Sequence, residues 1–150
     1  MLEPALLDDA RLDATQRQLL TLTDRLLAAI QSGDDATYVS LCLPELSCFE
    51  DIAPYRVDGV EFHRHLVRRA ADHPESQPVR QDMLNPRVQV YENCGIVTYT
   101  RLCTYEGPDG PYWRAYNETR VYICVEGRWR MAHFHRSPAP VTDGGAAVSR

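Results

Sequence analysis

Two arginines sit where an arginine needs a reason. Arg101 shares one face of an alternating run with Val97, Tyr99 and Cys103, and Arg120 shares one with Tyr116, Glu118, Tyr122 and Cys124. A guanidinium among apolar and aromatic neighbours is costly to bury unless it meets an anion. Two sources are open. An internal carboxylate such as Glu50 or Glu118 would make a structural ion pair, within the chain or between subunits. A bound ligand would make a site. The guanidinium is a planar fork that matches a carboxylate or phosphate with two parallel hydrogen bonds. All 16 basic residues are arginine, which excludes a lysine Schiff base and a P-loop. An enzyme built on the same positions would need a desolvated base and a donor for a developing oxyanion.

The other residues that do chemistry point elsewhere. His63 and His65 lie two apart on a helical pattern and face different ways. His133 and His135 share one strand face but lack a third ligand at diagnostic spacing, so packing or a subunit contact is expected rather than metal. Cys42, Cys48, Cys94, Cys103 and Cys124 are odd in number and form no C-x-x-C. Reduced cysteines in a cytoplasmic protein are the expectation, with no cofactor. A formal net charge of −5 argues against nonspecific binding to nucleic acid or to an anionic membrane. No apolar run approaches the ~20 residues that cross a bilayer, and no secretory signal is visible.

The elements that must position these residues follow from periodicity. The 150 residues fit one domain. Residues 1–13 read as a lead-in. Leu19, Leu22, Leu26, Leu27 and Ile30 form an apolar helical stripe over about Thr15 to Ser32. Asp13 with Gln16, or Thr15 with Gln18, is a capping box, and Gly33 a stop. Asp34 or Asp35 caps a second short helix that Pro44 ends. Leu46–Glu50 reads as a strand. Asp58 and Glu61 form a second capping box, opening a helix with Phe62, Leu66 and Ala70 on one face. Four long strands follow from Val79 to Arg136, with a bend at Asn85-Pro86 and turns at Gly107–Gly110 and Glu126-Gly127. Three helices before one antiparallel meander indicate α+β, the long helix lying on a curved sheet. The domain spans 14–137, and 138–150 reads as a small, polar, loose tail.

The stretches AIQSGDDATYVSLCLPELSCFE, VDGVEFHRHLV, MLNPRVQVY, TYTRLCTY and NETRVYICVEGRWRMAHFHRSPAP resemble the association, or hub, domain of calcium/calmodulin-dependent protein kinase II. They fall in the same order and at nearly the same spacing, over about residues 15 to 140. The resemblance implies a cone-shaped nuclear transport factor 2-like (cystatin-like) fold that self-assembles into large rings. It implies a pocket for a small carboxylate or other anion, lined by Arg101, Arg120, Arg136, Glu50 and His63. It covers the hub alone, so a free-standing, non-catalytic assembly module is expected, without the kinase role. The same fold also hosts ketosteroid isomerases and polyketide cyclases, which keeps the enzyme reading with Glu50, His63 and Tyr99 open. A partner hub to join is a third possibility. Trp113, Trp129, Tyr112 and Phe134 are candidates for buried subunit contacts.

Overall fold

A computed structural model describes residues 12–143 and 146–147. Helix α1 (Ala14–Ser32) opens on a capping box: the Asp13 carboxylate accepts from the Gln16 N–H, and the Gln16 side chain reaches back to the Asp13 backbone. Gly33 ends it in the left-handed conformation at φ 72°. Helix α2 (Asp35–Ser40) is capped by Asp34, which accepts from the Thr37 N–H and hydroxyl. Strand β1 (Cys42–Phe49) and the two-residue β2 (Val57–Asp58) precede helix α3 (Glu61–Asp72) and a single 3-10 turn at Pro74–Ser76. Strands β3 (Arg80–Tyr91), β4 (Cys94–Gly107), β5 (Gly110–Val125) and β6 (Arg128–Ala139) follow.

The sheet runs β2-β1-β6-β5-β4-β3. The four late strands make the expected antiparallel meander, but β1 joins β6 in parallel, Cys48 lying opposite Phe134. That closes the first strand onto the last and brings Glu50 and helix α3 beside Arg136. The register shifts between Cys42 and Ser47, between Leu84 and Arg87, and between Val121 and Tyr122. Each irregularity adds local twist, and together they bend the sheet around α1 into a cone. The second shift is the bend expected at Asn85-Pro86, with Asn85 at φ 48°.

Burial alternates along β4 from Gly95 to Cys103, so one face points inward. The core is Leu19, Leu22, Leu26 and Leu27 of α1 against Leu46, Val97, Tyr122, Met131 and Phe134. Trp129 and Phe134, proposed above for subunit contacts, are buried within the chain itself.

Three local expectations are corrected. Pro44 does not end α2: Leu41 caps that helix, and Pro44 lies inside β1, at the register shift where the ladder to β6 is interrupted. Asp58 does not cap α3, because Arg56 holds both its oxygens at 2.7 and 3.1 Å; no side chain caps α3. The buried face of α3 carries His63 and Val67, with Phe62, Leu66 and Ala70 half-buried beside it. The expected lead-in falls mostly on residues 1–11, outside the described residues, as do 144–145 and 148–150 of the expected tail. Within that tail, Thr142–Asp143 (β7) pairs with Ala146–Ala147 (β8).

Candidate functional site

The inner face of the sheet reads as successive cross-strand rows. Val97, Arg120 and Phe134 make the deepest; Tyr99, Glu118 and Arg136 the next; Met83, Arg101, Tyr116 and Pro138 the third. Above these rows lies a cavity of about 190 Å³, roofed by Leu66, Val67 and Ala70 of α3 with Ile30 and Gln77. Its lining includes Glu50, His63, Arg101, Arg120 and Arg136. The five positions proposed from sequence therefore meet in one hollow. They come from five places: the residue after β1, helix α3, and strands β4, β5 and β6.

The arginines differ in what they already hold. Arg120 is 1% exposed. Its Nε donates to the Tyr99 hydroxyl at 2.7 Å, its Nη2 to Glu118 Oε2 at 3.1 Å, and its Nη1 reaches Met131 Sδ at 3.3 Å. Its guanidinium also lies 4.5 Å from the centre of the Phe134 ring. Arg120 is thus a structural ion pair. Burial alone would push the Glu118 carboxyl up, but the charges of Arg120 and Arg101, with a hydrogen bond from Tyr99, outweigh it and hold it below the usual carboxylate range.

Arg101 is 6% exposed and has a neutral partner. Its Nε and Nη2 both donate to Gln81 Oε1, at 3.0 and 2.6 Å. The nearest carboxylate oxygen, Glu118 Oε1, is 3.6 Å from its Nη1, at ion-pair rather than hydrogen-bond distance. Arg136 lies flat on Tyr116, 3.6 Å from the ring centre. Its carboxylate contacts are long: 3.5 Å to Asp51, 3.8 Å to Glu118 and 3.9 Å to Glu50. Its Nε is buried without a hydrogen-bond partner. Two guanidinium groups at the cavity therefore keep donors to spare.

Opposite them, His63 Nε2 lies 3.1 Å from Glu50 Oε1 and 3.4 Å from Cys48 Sγ. With a carboxylate as acceptor, Nε2 is the donor, which leaves Nδ1 as the second polar atom of the ring; it is buried and without a hydrogen-bond partner. Cys48 does not complete a nucleophilic set. It shares Nε2 with Glu50, and burial together with the Glu50 charge pushes its thiol up to about 12. Tyr99 does not line the cavity. Its hydroxyl donates to Glu118 while accepting from Arg120, so its one proton is committed.

Sequence reasoning missed Gln81, Gln77 and Tyr38. Gln81 had a signal: a polar residue between Val79 and Met83 on the inward face of a strand. Tyr38 and Gln77 had none, because only the packing of α2 and of the segment after α3 brings them to the hollow. Among the described residues no three or more His, Cys, Asp or Glu side chains gather as a metal site. His133 Nδ1 lies 2.8 Å from Ser47 Oγ, and both His133 and His135 rest on Phe49. No helix among the described residues is long and apolar enough to cross a membrane.

Residues 15–140 match the family model described as calcium/calmodulin dependent protein kinase II association domain. The chain is 34% identical over 137 residues to the rabbit (Oryctolagus cuniculus) calcium/calmodulin-dependent protein kinase type II subunit delta. That alignment covers 89% of this chain but 26% of the relative, so the chain spans about a quarter of its length. Among solved structures, the association domain of the C. elegans kinase is 34% identical with a TM-score of 0.74, over 83% of this chain and 95% of that one. A structure described as a ketosteroid isomerase from Parabacteroides distasonis has a TM-score of 0.67 at 21% identity, covering 85% of this chain and 89% of that one. At that identity it speaks for the fold alone. By the breadth of the match and by the shared fold, the chain belongs to the calcium/calmodulin-dependent protein kinase II association domain family.

Proposed function

We propose that this domain is a non-catalytic, self-associating hub unit whose hollow holds a small carboxylate or similar anion between Arg101 and Arg136. Self-association is supported by family membership: the solved relatives are named association domains and hubs. The anion is supported by one observation above the others. Arg101 is nearly dry yet donates to a neutral glutamine, 3.6 Å from the closest carboxylate oxygen. A buried guanidinium normally meets a full counter-charge, and a ligand carboxylate would supply it with short, charge-assisted bonds.

The isomerase-like alternative has less to work with. Tyr99 has its proton committed to Glu118, and Glu50 is engaged by His63, so neither the oxyanion donor nor the base is free in the way such chemistry needs. Titration calorimetry with pentanoate tests the pocket. The expected result is saturable binding that Arg101→Met weakens at least about tenfold, the loss of one charge-assisted pair. Unchanged affinity in that variant would overturn the anion assignment. Turnover of a ketone or polyketide substrate that Glu50→Gln removes would favour the enzyme instead.

A further inference from the structure

The inner face does not stop at the hollow. Beyond the Arg101–Tyr116 row, the register adds a row of Gln81, Cys103 and Arg114, then one in which Tyr105 faces Tyr112, with Val79 alongside. None of these added residues lines the hollow beneath α3. Val79 is 60% exposed and Tyr112 42%, although both lie on the face that is elsewhere core. The Tyr105 and Tyr112 rings are stacked, their centres 5.1 Å apart and their planes 10° from parallel. The Arg114 guanidinium lies against both, 5.5 and 5.8 Å from the two centres. Arg114 has no ion pair among the described residues. Tyr105 joins the two regions: it is half-buried, lies on the same strand face as Arg101 and stacks on Tyr112. A ligand leaving the hollow past Arg101 and Arg136 would therefore run over an aromatic, apolar and cationic strip.

We propose that this strip is a second subsite, formed by Tyr105, Tyr112, Arg114 and Val79, which takes the aryl end of an elongated carboxylate whose acid group sits between Arg101 and Arg136. The inference rests on the anion-pocket reading and adds the ligand class. Residues two apart on a strand face are about 7 Å apart, so Arg101 and Tyr105 are separated by about 13 Å at the backbone. A chain of four or five carbons ending in a ring bridges this once the reach of the arginine and tyrosine side chains is subtracted. Val79 and Tyr112 supply exposed apolar area, and the part-exposed Tyr112 ring supplies an aromatic partner. Arg114 braces the pair and adds the uncompensated positive charge that favours an anion over a neutral aryl compound.

The probes are pentanoate and 5-phenylpentanoate, compared by calorimetry on the whole chain. The aryl acid should bind about tenfold tighter than pentanoate, the worth of one stacked ring with its buried area. Tyr112→Ala should erase most of that preference and leave pentanoate unchanged. Val79→Ser, at a still more exposed position, should do the same in smaller measure and guards against a folding defect in the first variant. Arg101→Met should weaken both acids. Equal affinity of the two acids, or a preference that survives both strip variants, overturns the subsite while leaving the pocket. Failure of wild-type protein to bind either acid removes the pocket and the subsite with it. A Tyr112→Ala variant whose particle mass changes while its aryl preference persists would mark the strip as a contact between copies, and that too overturns the proposal.

Discussion

Arg120 and Arg101 lie on adjacent strands, two rows apart on the inner face, and do different work. Every face of Arg120 is committed: to Tyr99, to Glu118, to the Met131 sulfur and to the Phe134 ring. Its counter-ion Glu118 is fully buried, with its pKa held down by the arginines around it. Removing the charge while keeping the shape isolates that role. Glu118→Gln should cost about 3–5 kcal/mol in urea denaturation at neutral pH, the usual penalty for leaving one partner of a buried pair alone. A carboxyl whose folded pKa lies below its unfolded one contributes fully above the unfolded value and loses its contribution as pH falls through the folded one. The difference between wild type and variant should therefore be full at pH 7 and shrink once pH drops below the ordinary carboxylate range. A pH-independent difference would mean that Glu118 acts by packing alone.

The sequence carried this site further than periodicity alone could. Alternation placed Arg101, Arg120 and Glu118 on inward faces, but it left two destinations for the guanidinium groups, and the structure divides them: Arg120 hydrogen-bonds the internal carboxylate, whereas Arg101 stands 3.6 Å from it and hydrogen-bonds Gln81 instead. That division depends on Gln81, whose amide also donates to the Leu27 carbonyl of α1 at 2.9 Å. No local pattern encodes such a bridge between helix and strand. Glu50 and His63 came from resemblance, since their meeting requires β1 to lie parallel to β6.

Among the elements, those with strong local chemistry were legible: α1 with its capping box, the cap of α2, the bend at Asn85-Pro86 and the turn at Glu126-Gly127, where both residues have positive φ. The start of α3 was not, because Arg56 competes for Asp58 through a two-toothed ion pair. Nor was the path of β1, since a parallel pair needs a long crossover that short-range pattern does not record. The stop of α1 does two jobs. Gly33 has φ 72°, and a Cβ there would meet Ala71 Cβ of α3 at 2.3 Å. Gly127 has a similar φ of 76° but open space around it. Gly127→Ala should therefore cost about 1 kcal/mol, the backbone term. Gly33→Ala should cost about 1–3 kcal/mol more, because α1 and α3 must separate. Equal losses in chemical denaturation would show that the α1–α3 approach yields freely.

At the scale of the whole molecule, the sheet has one face inside the cone and one outside. The outer row through Gln89, Ile96, Val121, His133 and Ser47 crosses five strands, and its neighbour carries Arg87, Thr98, Thr119 and His135. The central members, Ile96, Thr98, Thr119 and Val121, are uncharged and half-buried, in a chain that is 25% charged overall. An uncharged centre on a sheet face, flanked by Arg87 and Arg130, is well suited to a second copy. If self-association uses it, one carboxylate at its centre should act far out of proportion to its effect on the fold. Ile96 lies between Gln89 and Val121, with no cation opposite it in the register. Ile96→Glu should reduce the particle mass seen by light scattering to that of a monomer or a smaller assembly. The midpoint of unfolding should move only by the modest amount expected of a half-exposed position, because the side chain points away from the core. A wild-type chain that is monomeric at tens of micromolar would remove self-association itself. A wild-type assembly that Ile96→Glu leaves intact would move the contact to another surface, with the uncovered strip at Val79 and Tyr112 the next to probe.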